Sequence, residues 1–264
     1  MAAPEDGTSR RVAVAAADDE PFALAPQGPA PCRDSLGRRT QVWLFDLDNT
    51  LHDAGRAVFR HLDASMTCYI ERELALDRAS ADHLRSHYWK RYGATLLGLM
   101  RHHGVRAEHF LHHTHLLPGL ESQVRTHAHD RHALARLPGR KFILTNAPLA
   151  YAERVLGALD LAHLFEGVIA IEQMRVFGQL RPKPDARMFR RVLARLGVQA
   201  SRCVLVEDTL AHQRAAHRLG IRAVWMQRWT RRNAHGPEVG ARLRRRPEYV
   251  YAKIAGLKQL KRLR

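Results

Sequence analysis

The clearest pattern along the chain is a set of short apolar runs that each stop at polar residues. Val42, Trp43, Leu44 and Phe45 form one uninterrupted run, which ends at Asp46-Leu47-Asp48. Such a run predicts a parallel strand buried on both faces. Similar runs predict strands at residues 141–144, ending at Thr145-Asn146, at 167–171, at 203–206, ending at Glu207-Asp208, and at 222–226. Tyr249-Val250 predicts a last edge strand. Helical spacing marks residues 151–159, 185–196 and 209–219, the last two closed by Gly197 and Gly220. Alternating strands and helices imply an α/β fold with a doubly wound parallel sheet.

Residues 55–117 have a different character. Val58, Leu62, Met66, Tyr69 and Ile70 recur at helical spacing, as do Leu84, Tyr88, Leu96 and Leu97. No strand pattern interrupts them, so this stretch predicts an all-helical insertion of about four helices. Pro118-Gly119 marks the return to the α/β core, which is expected to comprise residues 40–54 and 118–264. Residues 1–39 are rich in Ala, Pro, Arg and Asp without apolar periodicity and are expected to be disordered.

Composition narrows the class. The 264 residues are 45% apolar and 26% charged, ordinary for a soluble globular protein. No run approaches the roughly 20 apolar residues of a membrane helix. The short apolar stretch from Val12 to Ala17 meets Asp18, Asp19 and Glu20, which argues against a cleaved signal. Three scattered cysteines, Cys32, Cys68 and Cys203, fit a reducing compartment, and a cytoplasmic location is expected. The formal charge of +17 points to anionic partners. From Arg228 onward there are 12 Lys or Arg against Glu238 and Glu248, so most of the excess lies away from the polar strand ends. That tail is read as solvated surface, with weak, salt-sensitive contact to nucleic acid as the alternative. Of the 17 histidines, His102-His103, His112-His113 and His115 cluster in the insertion, and His127, His129 and His132 follow it. No acidic or Cys set accompanies them at zinc spacing, and they are read as solvated helix faces.

The candidate chemistry lies at the strand ends. In open α/β sheets the ligand site lies beyond the carboxyl ends of the strands, so Asp46, Asp48, Thr145, Asn146, Glu207 and Asp208 should converge there. Asp46 and Asp48, two apart in extended chain, point the same way. Paired carboxylates need a cation or a shared proton, and with Asp208 they supply enough oxygens for Mg2+. Thr145 offers a hydroxyl and Asn146 a backbone N–H to an anionic oxygen. Lys183, between Pro182 and Pro184, offers a point charge. Nucleophile, proton donor, metal and charge clamps are the parts that phosphoryl transfer needs.

DLDNT (Asp46 to Thr50), LTN (Leu144 to Asn146), Lys183 and VEDT (Val206 to Thr209) resemble, in order and spacing, the four motifs of haloacid dehalogenase superfamily phosphatases. The resemblance runs from about residue 41 to the end of the chain. It implies a Rossmann-like core with a small helical cap inserted after the first motif. It implies Asp46 as nucleophile, forming an aspartyl phosphate, and Asp48 as general acid and then base. Thr145 and Lys183 would hold the phosphoryl oxygens. Asp46, the backbone carbonyl of Asp48 and Asp208 would bind Mg2+, with Glu207 in or near that shell. An acid at position 48 favours phosphate esters over dehalogenation, although phosphomutases share it. HYWKRYGATLLGL (His87 to Leu99) and the sequence from Thr145 to Val168 are similar to the pyrimidine 5′-nucleotidase branch. That similarity implies a small phosphorylated substrate such as UMP or CMP; sugar phosphates and lysophospholipids are alternatives. Tyr88 and Tyr92 are candidate cap contacts to substrate, with cap packing as the plainer reading. His212 stands where relatives commonly carry Asn. Oligomeric state has no sequence signal.

Overall fold

The computed structural model describes residues 23–24, 41–233 and 243–263. Nine strands and ten α-helices are described. The strands are β1 (Ala23–Leu24), β2 (Val42–Phe45), β3 (Arg140–Leu144), β4 (Gly167–Ile169), β5 (Arg175–Val176), β6 (Gln179–Leu180), β7 (Cys203–Glu207), β8 (Arg222–Met226) and β9 (Ala252–Ile254). Helices α1 (Arg56–Leu74), α2 (Arg78–Tyr92), α3 (Thr95–His103) and α4 (Ala107–Thr114) form the insertion. Helices α5 (Leu120–Gln123), α6 (Ala128–Ala135), α7 (Leu149–Ala158), α8 (Ala186–Leu196), α9 (Leu210–His217) and α10 (Arg228–Asn233) belong to the core.

Seven strands make the main sheet, in the order β1-β4-β3-β2-β7-β8-β9. All pairings are parallel except β1 with β4. From β2 at the centre the chain winds outward through β3 and β4, then crosses to β7, β8 and β9. The winding direction therefore reverses between β2 and β7, the switch point where α/β sheets bind ligands.

Alternation along the strands sorts their side chains onto two faces. Trp43, Phe45, Ile143, Val204, Val206 and Val224 pack with Tyr151, Val155 and Leu156 of α7 and Leu134 of α6. Val42, Leu44, Phe142, Leu144 and Leu205 pack with Met188, Phe189 and Val192 of α8 and Ala216 of α9. Each large side chain fully buried this way contributes on the order of 2 kcal/mol before conformational entropy is subtracted. This is the Rossmann-like core with a helical cap that the apolar runs and the motifs predict.

The cap has a separate apolar centre. Tyr69 and Ile70 of α1, Tyr88 of α2, Leu96 and Leu99 of α3 and Phe110 and Leu111 of α4 enclose it. Asp77 caps α2 by accepting from the backbone N–H groups of Ala79 and Ser80, at 2.9 and 3.0 Å. Gly93 and Gly104 end α2 and α3 at φ 80° and 65°, where a side chain would strain the backbone. Two core residues, Ile171 and Leu180, complete the cap's apolar cluster. Leu180 belongs to the β5–β6 hairpin, which has no counterpart in the predicted elements.

Three expectations are corrected. Ala23–Leu24, within the segment expected to be disordered, pairs with the open edge of β4, which offers unpaired backbone groups; the rest of residues 1–39 lies outside the described residues. The strand expected at Tyr249-Val250 falls instead at Ala252–Ile254, because a turn from the Val250 N–H to the Pro247 carbonyl delays it. The strand expected through residue 171 stops at Ile169, where Gln173 Oε1 accepts the Ala170 N–H and starts a 3-10 turn. Cys68 and Cys203 are free thiols, and Cys32 lies outside the described residues. Among the described residues no helix is long and apolar enough to cross a membrane.

Candidate active site

The ends of β2, β3 and β7 deliver their polar residues to one place. Asp46 directly follows β2, and its N–H still bonds the Val206 carbonyl of β7 at 3.0 Å. Thr145 follows β3, with its N–H on the Ile169 carbonyl at 3.0 Å. Each side chain is thus launched from a backbone that the sheet has already fixed.

Lys183 joins these segments. Its side chain is only 1% exposed, and its ammonium donates to Asp46 Oδ1 at 2.7 Å and to Glu207 Oε2 at 2.8 Å. A buried ammonium is tolerable only with such partners. These two carboxylates outweigh burial and raise the lysine well above its usual range, so it stays charged. The Asn146 side chain holds the backbone of Lys183 in place: Nδ2 donates to the Lys183 carbonyl at 3.0 Å, and Oδ1 accepts the Lys183 N–H at 2.9 Å. The expectation for Asn146 concerned its backbone N–H; its side chain has this further task.

Glu207 is fully engaged by protein donors. Oε2 takes Lys183 and His212 Nδ1, the latter at 3.0 Å, and Oε1 takes the Thr209 N–H at 3.0 Å. Burial would raise its carboxyl, but Lys183 and His212 together hold it far below the usual range. His212 therefore supports the fourth motif through the glutamate. Asp208 Oδ1 accepts the Thr209 hydroxyl at 3.1 Å, while its backbone carbonyl is fixed by Trp225 Nε1 at 2.9 Å. Burial, with Glu207 and Asp46 close by, pushes the Asp208 carboxyl well up. Asp46, also receiving the Thr50 hydroxyl at 3.2 Å, is raised to about 6 by burial and by Glu207, against the pull of Lys183.

Asp46, Glu207 and Asp208 offer oxygens that all lie within 4.8 Å of one another. All-oxygen donors and an uncompensated excess of negative charge suit a hard divalent cation such as Mg2+. Both oxygens of Glu207 and both of Asp46 already accept hydrogen bonds, whereas Asp208 has one oxygen engaged by Thr209, so Asp208 is the freest donor of the three.

Asp48 faces the site from the turn after β2. Its Oδ1 accepts Tyr151 Oη at 2.7 Å and lies 2.9 Å from His52 Nε2. Burial pushes this carboxyl up, yet the hydrogen bonds and charge around it prevail and hold it below the usual range. His52 and Tyr151 are absent from the sequence-based site. A histidine four residues after Asp48 was visible, but nothing in the sequence ties Tyr151 to a residue 103 positions away.

Thr145 is buried, and its Oγ1 accepts the Ala147 N–H at 3.0 Å, which orients the hydroxyl. In the cap, Tyr88 is buried with its hydroxyl 2.8 Å from His103 Nε2, and Tyr92 is half-buried with its hydroxyl 2.6 Å from His102 Nε2. The end of α2 comes close to the site: a Cβ on Gly93 would lie 3.8 Å from Pro184 Cδ.

A mostly parallel sheet with its switch point beneath this acidic cluster, and a helical lid spliced in after β2, define a haloacid dehalogenase-like hydrolase. Residues 40–220 match that family, and the chain belongs to it. Phosphate metabolism protein 8 of Saccharomyces cerevisiae is 24% identical over 193 residues, which are 69% of this chain and 60% of that protein. The match thus spans less than two thirds of the yeast relative. Among solved structures, the HAD phosphatase of Thermococcus onnurineus is similar with a TM-score of 0.55 and 19% identity, over 84% of this chain and 97% of that one. The 2-haloacid dehalogenase of Pseudomonas syringae pv. Tomato gives 0.52 and 20%, over 85% and 98%. These structures share the fold.

Proposed function

We infer that the protein is a Mg2+-dependent phosphomonoester hydrolase acting through an aspartyl phosphate on Asp46. What supports the reading above all is the Lys183 ammonium, buried between Asp46 Oδ1 and Glu207 Oε2. It sets a fixed positive charge beside the nucleophile, where phosphoryl oxygens would lie. Asp46 attacks phosphorus, and the leaving oxygen takes a proton from Asp48. Thr145, the Asn146 N–H and Lys183 hold the phosphoryl oxygens. Water, deprotonated by Asp48, then releases phosphate and regenerates Asp46. Bound Mg2+ would offset the charge on the phosphoryl oxygens, held by Asp46, Asp208 and the Asp48 carbonyl, with Glu207 behind them. The acid at position 48 favours esters over haloacids.

The substrate proposed is a pyrimidine nucleoside monophosphate, on the similarity of His87 to Leu99 to that branch. The yeast relative's name, which refers to phosphate metabolism, agrees with the broader class. Tyr92 lies next to Gly93, the residue that abuts Pro184, and is the better placed of the two cap tyrosines to meet a leaving group. Purified protein with Mg2+ is expected to release phosphate from p-nitrophenyl phosphate, and Asp46→Asn to abolish release. Undiminished turnover by that variant would remove the mechanism. Comparing UMP and CMP with AMP and glycerol phosphate tests the branch.

A further inference from the structure

Asp48 is the proton carrier in the reading above, and this inference rests on that reading. Among the described residues, both hydrogen-bond contacts to its side chain fall on one oxygen, Oδ1: Tyr151 Oη at 2.7 Å and His52 Nε2 at 2.9 Å. The Asp48 side chain is 19% exposed, whereas His52 is completely buried. The tyrosine hydroxyl must donate, since a carboxylate is an acceptor. The histidine must donate as well. A hydrogen on Nδ1 alone would turn the Nε2 lone pair against the carboxylate. It would also leave a buried N–H without an acceptor, because Nδ1 has no partner among the described residues.

We propose that Tyr151 and His52 are positioning residues that occupy Oδ1 with two donors and so assign the transferred proton to Oδ2, the oxygen that would then meet the leaving group. With both donors on Oδ1, a proton there would displace one of them, so protonated Asp48 carries its hydrogen on Oδ2. In the first step the Oδ2–H bond breaks as the P–O bond to the leaving group breaks, and the leaving oxygen gains the proton. In the second, Oδ2 takes a proton from the attacking water. The two donors also lock the carboxyl plane, which otherwise turns freely about its terminal torsion.

The position of Tyr151 is itself held from the cap side. One turn further along α7, Arg154 donates to the Leu116 and Leu117 carbonyls, each at 2.9 Å, and pairs with Glu121 at 2.6 Å. These carbonyls lie on the segment that returns from the cap to the core. The helix that aims the acid is therefore fastened to that connection.

The test uses leaving groups of different basicity, since a good leaving group departs without a proton and a poor one does not. With Mg2+ present, kcat/KM is measured for p-nitrophenyl phosphate, phenyl phosphate and glycerol phosphate, because it covers binding and ester cleavage but not the later hydrolysis of the aspartyl phosphate. Tyr151→Phe is expected to lower the glycerol phosphate value by about 10- to 100-fold and the p-nitrophenyl value by less than about threefold. His52→Leu should do the same, and His52→Gln, which keeps a donor near the Nε2 position, should restore much of the loss. A uniform loss on all three esters, or no loss, in variants that melt like the parent would overturn the proposal while leaving the hydrolase reading intact. A parent protein inactive on all three esters would overturn the hydrolase reading and this one with it.

Discussion

His115 follows α4 and packs edge-to-face on the Tyr151 ring, with centroids 5.9 Å apart. Burial depresses its ring to about 4, against a smaller opposing pull from Asp48. The sign follows from linkage. Between the ordinary histidine value of about 6.5 and this depressed one, the unfolded chain binds a proton that the folded chain refuses. This contribution to stability is intact above pH 6.5 and is lost as the pH falls toward 4. The expected loss from this group at pH 5 is at most about 2 kcal/mol, and His115→Asn should flatten the dependence of melting temperature on pH between 7 and 5. Legibility was uneven at this scale. Asp46 and Asp208 could be read because apolar runs fix their position at strand ends, and Lys183 because it stands between two prolines in order with the other motifs. His52 and Tyr151 could not, because a histidine or tyrosine is equally at home in a core, and their partnership exists only after α7 has packed on the sheet. Glu207 shows an intermediate case: its place at the end of β7 was evident, but its saturation by Lys183, His212 and the Thr209 N–H was not.

Helix packing decides between two glycines. Gly98 lies within α3 where an added Cβ would overlap the Tyr88 ring of α2. Gly157 lies near the end of α7, exposed, with nothing within 4 Å of such a Cβ. Helix propensity favours alanine over glycine by up to about 1 kcal/mol at either position. At Gly98, overpacking costs about 1–3 kcal/mol and reverses the sign. Thermal melts should therefore show Gly98→Ala destabilised and Gly157→Ala slightly stabilised. Equal shifts in one direction would contradict the close α2–α3 contact. The strands of the main sheet and the helices were legible as elements because burial on both faces, or along one stripe, writes a period into the sequence. The β5–β6 hairpin was not, since each of its strands has only two residues and Phe177, at its turn, is 90% exposed. The shift of β9 has a similar cause: Val250 is apolar because it packs beside Trp225 and Leu243, not because it belongs to a strand.

At the scale of the whole molecule, the basic C-terminal stretch is partly structural. Arg228 pairs with the buried Asp130 of α6, and Asp130 Oδ1 also accepts the Leu257 N–H at 3.0 Å. Leu257 and Leu260 are buried against the same face of the sheet as α6 and α7. Asp130→Ala would strand a partly buried guanidinium and an amide together, and a loss on the order of 3 kcal/mol is expected in denaturant unfolding. A cost below about 0.5 kcal/mol would mean that the terminal segment is held by its leucines alone. The cap presents the opposite arrangement, since it borrows from the core. Ile171 and Leu180 lie inside its apolar cluster, and Arg175 of the hairpin reaches Glu108 of α4 at 2.6 Å. Anyone transplanting the lid onto a sister scaffold would therefore need to move two stretches. Residues 56–114 alone would arrive with a greasy hole in their underside, and the donor would be left with two wet aliphatic side chains. The exchangeable unit includes residues 171–180, a segment that chain order assigns to the other half of the protein.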